Sequence, residues 1–202
     1  MSLKSKYQTK NQKGYTARYR VLHWTMAIGC ILLLMAGQQF NFQLTDSYRI
    51  SGLRYHSSIG SVVLLAAIFL LVKRFIRRDP RPTVALSPVK KWMATGVQLT
   101  LYSLAVFIPV SGLITAYYSD MPTLVFGVFD ISQFTIDSVL YDRIRRLHEL
   151  ATLLAIVLVA SHGLAALYHH FVKKDDVLTS MIDLETFKSK ARVVGKAFLK
   201  SQ

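Results

Sequence analysis

The 202-residue sequence predicts an all-α membrane protein, a four-helix transmembrane bundle with a C-terminal amphipathic helix. Three observations lead there. Hydrophobic residues make up 52% of the chain and the mean hydropathy is +0.33, richer than a soluble domain needs to bury its own core. They gather into four blocks, near 21–40, 52–72, 95–118 and 147–172, each close to the ~20 residues that cross a hydrocarbon core. The basic residues fall outside those blocks, except Arg54 at the start of the second, and with a bias: 20 of the 25 Lys and Arg lie before residue 21, in 73–91 and from 173 onward, leaving five in 41–54 and 116–147.

An even number of spans puts both termini and the basic middle connection on one side. The positive-inside rule then makes that side the cytoplasm. The formal net charge of +14 therefore reads as a topology signal with anionic lipid headgroups as its counter-surface, not as a nucleic-acid interface.

Taken in order, residues 1–14 form a polar cytoplasmic tail, since hydrophobic patterning begins only at Tyr15. The first block follows without an Ala-x-Ala-like cleavage site and reads as a retained signal anchor. Cys30 lies inside it and is the single cysteine of the sequence, which excludes an intrachain disulfide and a cysteine-based metal site. After the second block, Lys73 to Arg78 and the Asp79-Pro80-Arg81-Pro82 turn stop the helix. The third block holds Pro109, expected to kink the span, with Ser111 and Gly112 beyond it as packing residues.

From Ser119 to Arg146, four aspartates interleave with Phe, Ile and Tyr, predicting a loop that folds over the outer surface as a lid. Residues 15–176 then form the four-helix domain. Over 177–202, Leu184, Phe187, Ala191, Val194 and Phe198 recur at helical spacing among Lys188, Lys190, Arg192, Lys196 and Lys200, predicting a basic amphipathic helix on the inner leaflet.

Intramembrane ionisable groups are costly and mark function, so the six histidines are informative. His23 opens the first span from the inner side; His56 and His148 open the second and fourth from the outer side. His162 follows His148 by fourteen residues, four turns less about 40°, so both share one stripe with a rise of ~21 Å. His148 can then face His56, and His162 can face His23. Pairs from facing helices, without a carboxylate or thiolate set to complete a zinc or di-iron site, suit axial ligation of haem iron. The small residues Gly60 and Gly163 beside them would let a flat macrocycle approach the backbone. Spacing leaves one alternative open: His169, seven residues beyond His162, lies about 20° off the same stripe.

The residues at these positions resemble the prokaryotic cytochrome b561 family. The likeness runs from about Tyr15 to Met181 and rests on Arg20-Val21-Leu22-His23-Trp24, His56-Ser57-Ser58-Ile59-Gly60 and Ile108-Pro109-Val110-Ser111-Gly112. Its most specific part is the fourth span, with Leu147-His148-Glu149-Leu150, Ser161-His162-Gly163, Tyr168-His169-His170-Phe171 and Lys174-Asp175-Asp176-Val177-Leu178. Gln98 departs from the family, whose members often carry histidine there.

The resemblance implies a diheme b-type cytochrome, with His23 and His162 on an inner haem iron, His56 and His148 on an outer one, and His169 and His170 not ligands. It also implies membrane ubiquinone as acceptor and superoxide as an outer one-electron donor. With both axial positions filled, electron transfer is the natural task, and no catalytic residue is assigned. Arg54 and the group Arg143, Arg145 and Arg146 flank the outer histidines, where they would neutralise haem propionates or form an anion funnel. Two rival readings are a cytochrome subunit that anchors a partner dehydrogenase and passes its electrons to quinone, and a proton or metal relay in a small transporter.

Overall fold

The computed structural model describes residues 15–39, 42, 45–77, 87–132 and 137–182. Four helices in it are long and apolar enough to cross a membrane: Ala17–Gln38, Asp46–Ile76, Pro88–Tyr117 and Ser138–Lys173. Their α-helical parts are α1 (Ala17–Gln38), α2 (Asp46–Val72), α3 (Pro88–Tyr117) and α4 (Ser138–Tyr168). Only 6 to 28% of each apolar window is buried inside the protein, and Leu32, Phe69, Leu153 and Leu164 are exposed. Such faces would be untenable in water and are ordinary against acyl chains. The chain is a multi-pass membrane protein.

Local chemistry explains the helix ends. Thr16 stands at the start of α1, its hydroxyl accepting from the Tyr19 amide at 3.4 Å. Pro88 is the first residue of α3, where its missing N–H costs nothing. A π-helical turn, Lys73–Arg77, ends the second span, and another, His169–Lys173, ends the fourth.

By contact the chain divides into two compact units. One comprises Val21–Asp79 and Leu86–His162 and holds most of the four helices. Its core is thin and built of small and medium side chains: Val63, Ala66, Ala67 and Leu70 of α2 are buried, and Leu104 packs with Ala151 and Ala155. Gly29 is buried in α1 so close to α2 that a Cβ there would stand 2.6 Å from Val63 Cγ2. Small residues at such crossings let membrane helices approach, because packing rather than hydrophobic exclusion drives their association. The described residues of the other unit are 15–20 and 163–182. Within it the Tyr15 amide donates to the Ser180 carbonyl at 3.2 Å.

One expectation is corrected. The stretch 119–146 is not all loop: α4 begins at Ser138, so Arg143, Arg145 and Arg146 are helical. Asp137 caps this start, its carboxylate accepting from the Leu140 amide at 3.0 Å. Hydropathy placed the boundary late because it registers where the helix becomes apolar, whereas the cap decides where it begins. The remaining loop carries a small hairpin, β1 (Leu124–Val125) antiparallel to β2 (Phe129–Asp130). At the other end, residues 177–182 hold a 3-10 turn over Thr179–Met181, ahead of the stretch that carries the expected amphipathic pattern. The rest of that expected helix, the tail 1–14 and the turn at 79–82 lie outside the described residues.

Candidate functional site

Helix α4 carries His148 and His162 on one stripe, and each meets a histidine of another helix. The His56 ring of α2 and the His148 ring have centres 6.4 Å apart with planes at 65°. The His23 ring of α1 and the His162 ring have centres 6.5 Å apart with planes at 63°. Two pairs from three helices thus have nearly the same internal geometry, about 21 Å apart along α4 at ~1.5 Å per residue. His23 also lies edge-on to Trp24, centres 5.7 Å apart.

His148 is held from behind by α3. Its Nδ1 is 3.0 Å from the Ile108 carbonyl oxygen and 3.1 Å from Ser111 Oγ. The buried Ser111 hydroxyl donates to the same carbonyl at 2.9 Å. Gly112 completes the seat, since a Cβ there would come within 3.1 Å of His148 Cε1. Nδ1 therefore carries the proton and donates, which leaves Nε2 as the lone-pair nitrogen. Reading Ser111 and Gly112 as packing residues missed this. A Ser-Gly pair beyond a span proline was the available signal, but a main-chain carbonyl has no mark in a sequence.

Around His56, the hairpin folds onto the second span. The Phe126 amide donates to Ser58 Oγ at 2.7 Å, and the Ser58 hydroxyl donates to the Arg54 carbonyl at 2.6 Å. Phe126 and Gly127 form the turn with φ of 53° and 73°, and the Arg54 guanidinium lies against Gly127. Arg145 is engaged along its own helix, with Nε donating to Glu149 at 2.9 Å and Nη1 to the Tyr141 hydroxyl at 3.1 Å. Arg143 and Arg146 are exposed.

His169 and His170 lie in the π-helical turn. His169 Nδ1 is 2.5 Å from the Asp175 carboxylate, and this contact holds the Asp175 carboxyl below its ordinary range. Among the described residues, no group of three or more His, Cys, Asp and Glu that could hold a metal ion comes together. Elsewhere, an apolar groove of about 400 Å³ runs between α2 and α3, lined by Leu71, Phe75, Leu99, Tyr102, Phe107 and Val110.

A profile of prokaryotic cytochrome b561 matches residues 14–183. The chain belongs to the prokaryotic cytochrome b561 family. Among its relatives, cytochrome b561 homolog 2 of Escherichia coli K12 is 28% identical over 176 residues, covering 86% of this chain and 94% of that protein. The probable superoxide oxidase CybB of Yersinia pestis is 23% identical over 174 residues, covering 84% and 96%. Cytochrome b561 homolog 1 of Escherichia coli K12 is 30% identical over 126 residues, covering 58% and 70%.

Cytochromes of the b561 family are haem b proteins of electron transport, and the two histidine pairs fit that group. A histidine nitrogen sits about 2 Å from a bound metal ion, so two imidazoles sharing one ion end to end hold their ring centres about 6 to 6.5 Å apart. Two protein nitrogens per site would leave the other coordination positions of an iron to a macrocycle. Around Gly60 and Gly163, nothing lies within 4 Å of where a Cβ would stand, so the backbone beside His56 and His162 is open to a flat ring.

Proposed function

We propose that this b561-family protein is a transmembrane diheme cytochrome that moves electrons between a one-electron donor on the outer side and membrane ubiquinone, with both termini in the cytoplasm. His56 and His148 would hold an outer haem b, and His23 and His162 an inner one. The carrying observation is the repeated ring-centre separation of 6.4 and 6.5 Å. Bound there, a b-type haem supplies one-electron exchange at its iron.

The chain's own residues define the rest. With each haem iron held by two histidines, His56 with His148 and His23 with His162, no position would be left for oxygen activation, and the chemistry supplied would be outer-sphere electron transfer. Exposed Arg143 and Arg146, five and two residues before His148, present positive charge at the His56–His148 end, while Arg145 and Arg54 are already engaged by Glu149 and by the hairpin. Either propionates or an anionic donor would be attracted there; superoxide is favoured by the Yersinia pestis relative, whose name is probable superoxide oxidase. The apolar groove between α2 and α3 suits a lipid-soluble quinone.

The test is the optical spectrum of the purified protein with a haem count per chain. Two b-type haems in the native protein and one in His56→Ala and in His162→Ala are expected. Reduced protein without a b-haem band, or variants that keep both haems, overturns the assignment. Ubiquinone reduction on adding superoxide to the reconstituted protein then tests the donor and acceptor.

A further inference from the structure

The two histidine pairs share a geometry and differ in what stands behind them. Behind His148 the third helix has built a seat from three residues within one turn and a half. The Ile108 carbonyl and the Ser111 hydroxyl both face Nδ1, at 3.0 and 3.1 Å, and Gly112 leaves the space the ring occupies. Ser111 is only 4% exposed, so its hydroxyl cannot turn to water for a partner. Among the described residues no comparable anchor stands behind His23 or His162; the rings meet each other, and His23 also lies edge-on to Trp24.

Chemistry gives this asymmetry a consequence. An imidazole whose N–H donates to a carbonyl carries more electron density on its other nitrogen and is a stronger donor to a metal ion. Stronger donation favours the oxidised, more positive iron and so lowers the reduction potential. The geometry also fixes the ring plane: rotating His148 about its Cβ–Cγ bond would carry Nδ1 away from both acceptors.

Resting on the diheme reading, we infer that Ser111, Gly112 and the Ile108 carbonyl are the positioning groups of His148, and that they set the reduction potential of the His56–His148 haem independently of the other. Ser111 lends a second acceptor and orients the carbonyl by donating to it. The seat therefore lets one polypeptide poise two chemically identical haems at separate potentials.

The experiment is a redox titration of the whole purified protein, with the ferric low-spin electron-paramagnetic spectrum recorded beside it. Ser111→Ala should raise the midpoint of one haem and leave the other in place, and Ser111→Thr, which keeps the hydroxyl, should return it toward the native value. Gly112→Ala should shift the g-values of that same haem, since the ring must move by a few tenths of an ångström. The unshifted haem reports that the bundle is still folded. If Gly112→Ala fails to assemble, Ser111→Ala alone carries the test. Unchanged midpoints in Ser111→Ala, or equal shifts of both haems, overturn the inference. A native protein lacking two b-type haems overturns instead the reading on which it rests.

Discussion

Replacing Gly127 with alanine probes how the hairpin is held on the second span. Gly127 has φ of +73°, and a Cβ there would overlap the Arg54 guanidinium. The left-handed conformation costs a residue with a side chain about 1–2 kcal/mol. The overlap adds little, because a guanidinium is the far end of a flexible side chain and Arg54 is exposed. Against this, alanine loses less freedom than glycine when the loop closes, an offset of about 0.4–1 kcal/mol. The net is about 1 kcal/mol, or roughly a fivefold rise in the open fraction of the hairpin.

Hydrogen exchange in detergent or nanodiscs reads that fraction directly. The Phe126 amide, donating to Ser58, and the Val128 amide, donating to the Val125 carbonyl at 3.2 Å, should exchange about fivefold faster in Gly127→Ala. Gly127→Asn separates the two causes, since asparagine meets Arg54 as alanine does but tolerates the left-handed region. It should exchange near the native rate. Native-like exchange in the alanine variant, or equal acceleration in both, would refute the argument from backbone conformation.

Three further outcomes rest on the same packing and charge. Gly29→Ala places a methyl against Val63, which is 3% exposed and has nowhere to retreat, so it should destabilise the bundle by about 1–3 kcal/mol, with Val63→Ala in the same chain recovering part of the loss in thermal unfolding; a fully stable single variant contradicts the close approach. On the proposed function, Arg143→Gln with Arg146→Gln should slow haem reduction by superoxide, on the order of tenfold at low ionic strength, and the difference should fade with added salt; a salt-independent rate removes the funnel. Asp130 is held below its ordinary range by the hydroxyl and amide of Ser132, so its contribution to the hairpin is complete above the unfolded carboxylate pKa and is lost as pH falls through the lower folded value. Amide exchange at Ser132 should therefore gain protection as pH rises out of that acidic window, after correction for intrinsic rates, and Asp130→Asn should abolish the dependence.

Legibility differed by kind of feature. The four spans were readable because crossing a bilayer needs an uninterrupted apolar run, and composition along a line records that. The stripe joining His148 to His162 was readable from helical periodicity alone. The start of α4 was misjudged because Asp137 and the three arginines are polar, and polarity looks the same in a loop and in an exposed first turn. Spacing left His162 and His169 as equal neighbours for His23. In the structure the His162 ring lies beside His23, and His169 meets Asp175, six residues on, through a π-helical turn that no periodicity announces.

By itself, then, the sequence determined the class of solvent this protein needs, the number of its spans and the family to which it belongs. All three depend on residue identity at fixed intervals along one chain. Tertiary structure decided which rings meet, that Arg54 lies under a hairpin, and that His148 leans on a carbonyl of α3 while His23 and His162 do not. These depend on how far each helix is rotated and slid against its neighbours. Those offsets are set by the fit of small groups such as Gly29 and Gly112 into facing side chains, and main-chain atoms, which every residue shares, carry no letter of their own.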